Sequence, residues 1–172
     1  ISKSNMTLSS VELLNEERVP KDAAAIIINA PQKDFNKNDA QKVIDYLQKG
    51  GKAIIVGMHS ETEMPNFASI LDTYGVSLTT GPIADNDAQH YYNMGGPLYL
   101  LPNVNSSSYT GSLSGGYVYL PISLGINYPQ NSTTDDTEST EESKTTYTSL
   151  LDTSDDAVAK NNPNSMQDYG YE

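Results

Sequence analysis

AAAIIINAPQKDF, residues 23–35, decides how the rest of the chain is read. Six apolar side chains run without a break from Ala23 to Ile28 and then meet Asn29-Ala30-Pro31. A run of this kind, ended by a proline, fits a strand covered on both faces, the mark of a parallel sheet flanked by helices. In open parallel sheets ligands bind outside the carboxyl ends of the strands. The Asn-Ala-Pro turn therefore stands where a site would be built, and either does chemistry or only redirects the chain.

The residues that follow fit the same reading. Asn36 is a predicted N-cap, with Asp39 three residues on and well placed for the helix dipole. Ala40, Val43, Ile44 and Leu47 fall on one helical stripe, and Lys49-Gly50-Gly51 stops it. Lys52-Ala53-Ile54-Ile55-Val56-Gly57-Met58 is a second apolar strand. Strand, helix and strand make a βαβ unit, whose crossover is expected to be right-handed. After the loop His59–Pro65, a second helix is predicted from Phe67, Ile70, Leu71 and Tyr74, capped by Gly75. Val76–Leu78 and Gly81–Asp85 are two further expected strands, and Thr7–Asn15 a strand before the unit.

Beyond residue 86 the pattern weakens. Asn93–Gly96 and Ser112–Gly116 are turn-rich, and Leu98–Leu101, Tyr117–Ile122 and Thr148–Ser154 read as strands. Residues 130–147 are a Ser/Thr/acid low-complexity run, expected to form a surface loop. The fold class expected is α/β with a parallel sheet, followed by an irregular, β-rich C-terminal part. One domain is expected over residues 1–160, with a loose tail at 161–172.

Composition narrows the function. With 22 acidic against 10 basic residues the net charge is -12, which disfavours nucleic acid and anionic membranes as partners. Weak calcium binding suits such a charge. There is no cysteine, so disulfides, thiolate metal sites and cysteine nucleophiles are excluded from this chain. No run approaches the roughly 18 apolar residues of a membrane span. The chain begins at Ile1 without Met and ends on Tyr169-Gly170-Tyr171-Glu172, which reads as an excised fragment, so that any anchor of a parent protein would be missing from it.

Two loops qualify for chemistry: 29–34 after the first strand and 58–63 after the second. Their candidate ligand-binding residues are Asn29, Asp34, His59, Ser60 and Glu61. Imidazole is the side chain suited to acid–base work near neutral pH, and Glu61 or Glu63 is placed to orient that of His59 beside Ser60. The context His-Ser-Glu, however, is not the G-x-S-x-G elbow. His59, Glu61, Glu63, Asp85, Asp87 and His90 show no H-E-x-x-H, and Asp85-Asn86-Asp87 lacks the glycine and distal Glu of a calcium loop. No catalytic residue, metal or cofactor is assigned. Asn5, Asn105 and Asn131 begin glycosylation sequons that arise easily by chance in a chain this rich in Asn, Ser and Thr.

The order of pieces resembles a known family. Val19-Pro20-Lys21-Asp22-Ala23 with Ile26–Phe35, Ala40–Leu47 with Gly50–Val56, and Pro65–Val76 are similar to the auxiliary family of the ABC-type uncharacterised transport system. That family includes the auxiliary component of the gliding-motility transporter. Tyr119-Leu120-Pro121 and Ser149–Ser154 resemble later segments of the same pattern. The likeness runs over residues 11–160 and is strongest from 19 to 76. It implies an extracytoplasmic α/β domain of a membrane-anchored protein, partnered with ABC permease and ATPase subunits. It also implies a flavodoxin-like, class I amidotransferase-like three-layer sandwich, here without the Cys nucleophile of true amidotransferases. Residues 130–147 would be an insertion on that pattern.

Three functions follow as expectations. The first is a non-enzymatic, extracytoplasmic accessory domain that binds a protein or an unidentified ligand, with Tyr91, Tyr92, Tyr117 and Tyr119 as a recognition face. The second is a hydrolase using His59 and Ser60. The third is a cell-surface sugar-binding module with aromatic side chains lining a groove.

Overall fold

The computed structural model describes residues 6–113, 116–129 and 145–160. Most of the low-complexity stretch 130–147 and all of the tail 161–172 lie outside the described residues, as do the expectations made for them. Among the described residues the fold is mixed α/β, with two α-helices and several small sheets, most of them antiparallel. The chain divides into two compact units, Ile1–Val56 with Thr62–Thr73, and Gly57–Glu61 with Tyr74–Glu172. No helix among the described residues is long and apolar enough to cross a membrane.

The first unit is the βαβ unit. Strand β1 (Ile26–Asn29) pairs in parallel with β2 (Ala53–Val56), Ile26 opposite Ala53 and Asn29 opposite Val56. Helix α1 (Lys37–Gln48) joins them. It starts as its sequence dictates: the Asn36 side chain accepts from Asp39 N at 2.9 Å, satisfying one of the four unpaired amides of the first turn. It stops at Gly50, whose φ of +86° a side chain would resist. Gly51 N then closes back to Tyr46 O at 3.0 Å. Ala40, Val43 and Leu47 of the predicted stripe are buried.

Helix α2 (Pro65–Asp72) packs against α1 and buries Phe67 and Ile70, ending two residues short of the expected Tyr74. Phe35 stacks on Phe67 with ring centres 6.3 Å apart. Val19 and Ile28 complete this core.

Two expectations are corrected here. Thr7–Asn15 is not a strand; its only regular piece is a 3-10 turn, Leu13–Asn15, held to α1 by Lys42 Nζ on Leu13 O at 2.7 Å. The apolar strands are not covered on both faces either. Ile28 is buried, but Ile27, Ile54 and Val56 are 47%, 59% and 43% exposed. The two helices pack on each other, and the sheet face that carries Ile27, Ile54 and Val56 stays open. A continuous apolar run reports the absence of polar side chains, not the number of layers above them.

The second unit is antiparallel. Strand β3 (Ser77–Asp85) is one strand where two short ones were expected; it pairs with β7 (Leu124–Asn127) on one side and β9 (Ala157–Ala159) on the other. The β3–β7 register shifts between Leu78 and Pro82, where proline has no amide to give the ladder. Thr79 mends the gap: its hydroxyl accepts from Gly125 N at 2.9 Å and donates to Gly81 O at 2.8 Å. Glycine fits closely there, because a Cβ at Gly125 would sit 2.9 Å from both Thr79 Cγ2 and Ile83 Cδ1 and these would have to shift.

Strands β4 (Tyr99–Leu100) and β6 (Leu120–Pro121) form a second ladder, and β5 (Asn103–Val104) with β8 (Leu151–Asp152) a third. Ala84, Leu100, Pro82 and the carboxylate of Asp85 are buried in this unit.

Candidate functional site

The loop leaving β1 answers the question its sequence poses. Ala30 takes a left-handed φ of +46°, held by its N–H on Val56 O at 2.9 Å and by Gln32 Nε2 on its carbonyl at 3.2 Å. The reversal delivers Asp34 to the start of α2. Met64, at the N-cap position of that helix, has no side-chain hydrogen bond to offer. Asp34 takes over the task from thirty residues away. Its Oδ1 accepts from Phe67 N at 2.8 Å and Phe35 N at 3.0 Å, its Oδ2 from Asn66 N at 3.1 Å and Asn66 Nδ2 at 2.8 Å. Partial burial raises the Asp34 pKa, but these bonds outweigh it and hold the carboxyl below its ordinary range. Asp34 is a remote cap, and the Asn-Ala-Pro turn serves to place it.

The other sequence-derived candidates fall in both units. Asn29 is the exposed last residue of β1. His59, Ser60 and Glu61 belong to the second unit. His59 Nδ1 is buried without a hydrogen-bond partner, which means that this nitrogen does not bond Ser60 Oγ. Glu61 is exposed. Among the described residues no three His, Asp or Glu side chains converge on a common point where a metal ion would sit.

A different cluster does assemble, in the second unit. Asp85 ends β3 with no exposed surface; its Oδ1 accepts from Asp87 N at 3.1 Å, and its two oxygens take Ser154 Oγ and Ser154 N. This pins the turn that follows. Within the turn, Asp87 Oδ1 accepts from Gln89 N at 2.9 Å, while Oδ2 lies 3.0 Å from His90 Nδ1. The other ring nitrogen, His90 Nε2, lies 3.2 Å from Asn103 Oδ1 on β5. An imidazole held at both nitrogens by oxygen acceptors favours its doubly protonated form.

The pKa shifts have the matching directions. Desolvation lowers the His90 pKa, yet the bonds to Asn103 and Asp87 and the charges of Asp87 and Asp85 outweigh it and raise the imidazole above its ordinary value. Asp87 is lowered, first by the Gln89 amide and then, against some desolvation, by His90.

His90 lies on the wall of a cleft of about 430 Å3, with Gln89, Asn103, Asn105, Ser106 and Tyr117 among the other lining residues. Buried Thr110 supports it: its hydroxyl donates to Asn105 O and accepts from Ser107 N at 2.9 Å. The Asn105 side chain reaches the carboxylate of Asp152 at 2.6 Å and Ser149 O at 3.2 Å, tying β5 to the chain before β8. Ser149 and then Asn105 hold Asp152 below the ordinary carboxylate range, against some desolvation.

Sequence reasoning had His90, Asp85 and Asp87 only as scattered metal candidates, and missed the cleft. The available signal was local: Asp87-x-x-His90 has the spacing of an Asp-anchored turn that closes on its own third residue. No protein-family model, curated protein or solved structure matches this chain.

Proposed function

We propose that this chain is an extracytoplasmic binding domain of an ABC-transport accessory protein, working by protein or ligand recognition rather than by turnover. The observation that carries the reading is the parallel register of β1 on β2 through α1, because these elements lie within residues 19–76, where the family likeness is strongest. In this reading β1–α1–β2 is what remains of a flavodoxin-like, amidotransferase-like three-layer fold. The parent protein is membrane-anchored and meets permease and ATPase subunits. The loop at the carboxyl end of β1 is a structural cap, since all four hydrogen bonds of Asp34 go to the start of α2 and to Phe35.

This chain itself contributes no cysteine to the test. Lys21 is exposed, so Lys21→Cys in the parent protein places one new thiol on the first unit. A membrane-impermeant maleimide should label it in intact cells, above the unsubstituted parent. Labelling only after lysis would overturn the location. Failure of the solubilised parent to co-purify with an ATPase and a permease would overturn the partnership.

A further inference from the structure

The tyrosines of the second unit are arranged rather than scattered. The β4–β6 ladder sets Tyr99 opposite Pro121 and Leu100 opposite Leu120, and a bridge between Tyr91 and Leu100 lays residues 90–92 along the other side. Side chains alternate along a strand. Tyr92, Tyr99 and Tyr119 therefore fall on one side, while Tyr91 falls on the other with buried Leu100. The rings agree: Tyr119 stacks on Tyr99 at 6.1 Å and meets Tyr92 edge-on at 6.1 Å. Two residues further along each segment, beyond the ladder itself, stand His90, Leu101 and Tyr117, which with Asn103 line the cleft. The aromatic face thus runs directly into the polar cleft.

We propose that this tyrosine face and the cleft it enters bind a neutral oligosaccharide. A pyranose ring has a face of C–H groups and a rim of hydroxyls. The first packs on aromatic rings; the second needs planar amides and imidazole, which donate and accept, and carboxylates, which accept. Both are present side by side. Tyr92 and Tyr119 are 45% and 50% exposed, and Tyr117, at the cleft, is 91% exposed. Gln89, Asn103 and Ser106 supply the polar rim, and His90 is already fixed by Asp87. The volume of about 430 Å3 falls within the roughly 300–1,000 Å3 of small-ligand sites.

Charge selects among ligands. A net charge of -12 repels sulfated or uronic chains as it repels phosphate, which leaves uncharged glycans. A protein partner is the competing occupant, but the apolar lining of Leu101, Pro102, Val104 and Leu113 is interrupted by the polar side chains of Gln89, Asn103, Asn105 and Ser106. The proposal stands on the second unit and does not rest on the transport reading, which stands on the first.

The test is an array of neutral glycans of varied linkage, followed by calorimetric titration of those retained and of a heparin oligosaccharide as the anionic control. Neutral chains should bind and heparin should not. Tyr117→Ala, at a position too exposed to matter for folding, should weaken binding about tenfold. Tyr119→Ala should do so as well, while Tyr119→Phe restores it and Ile126→Ala, on exposed β7, leaves it unchanged. Retention of no neutral glycan, binding that Tyr117→Ala leaves intact, or capture of heparin or a peptide in its place would each overturn the proposal.

Discussion

Each unit of this protein has a carboxylate at the exit of a strand, and the two are used differently. In the first unit Asp34 gives both oxygens to backbone and amide donors at the start of α2. In the second, Asp85 anchors a turn, and the next acid along, Asp87, faces an imidazole at a cleft. The first arrangement has no titrating partner and nothing left to offer a ligand. The second ends on a group that can change its charge near neutral pH. The position of a loop at a strand end did not separate these cases. The partners of the carboxylate did.

The sharpest way to test the division into units is through their cores. Ile70 has no exposed surface and sits in the α1–α2 core of the first unit. Ile70→Ala should cost about 2–5 kcal/mol, read as a fall in the urea midpoint followed by far-UV circular dichroism. The comparison breaks if the His90 proton resonances shift as much as those of the first unit, since the substitution would then be felt throughout.

Asp85→Ala is the second-largest effect expected. It leaves Asp87 N, Ser154 N and Ser154 Oγ without their acceptor at a buried position. Each such donor costs about 1–3 kcal/mol when unpaired, although water entering the gap reduces the sum. Asp85→Asn keeps one oxygen and should cost less. A stability equal to the parent for both variants would mean that the turn holds itself, and Asp85 would no longer explain how His90 is positioned.

How much of this was legible in the sequence follows from the range of the interactions. Helix α1 was readable because its cap, stripe and glycine stop lie within sixteen residues of one another. The pairing of β1 with β2 was readable because one helix joins them. The exposure of Ile27 and Ile54 was not, since burial depends on what packs above a residue and hydrophobicity reports only what would tolerate it. Nor were β5, β7 and β9, whose partners lie far along the chain and whose two to four residues carry no period of their own. Asp34 was picked as a ligand residue for its place at a strand end. The clue against this was the helix start Met64-Pro65, which lacks a capping side chain and so needs one from elsewhere.

That remote cap gives a smaller, pH-dependent effect. Asp34→Ala should destabilise the first unit by about 0.5–2 kcal/mol, the usual range for a lost N-cap. Because the folded carboxyl is lowered, its contribution is full above the unfolded value of about 3.9 and is lost as pH falls through the folded value. Acid unfolding of Asp34→Asn should show less of that dependence than the parent. Identical acid midpoints would leave the cap without electrostatic content and blur the contrast with Asp87.

The smallest effect tests the other side of the contrast. His90 is raised, so any stability it lends is full below the unfolded value of about 6.5 and is lost as pH rises through the folded one. Its sign is opposite to that of Asp34. Followed by the imidazole carbon-bound protons in NMR, His90 should titrate above an unperturbed histidine, and Asp87→Asn should move it down while the fold persists. Deprotonation also removes a donor from between Asp87 and Asn103, freeing the Asn103 amide to turn its N–H2 to His90 Nε2 and its oxygen elsewhere. The cleft would then exchange a donor for an acceptor at one place on its wall. A titration of His90 indifferent to Asp87→Asn would leave the imidazole governed by solvent, and both carboxylates would be structural after all.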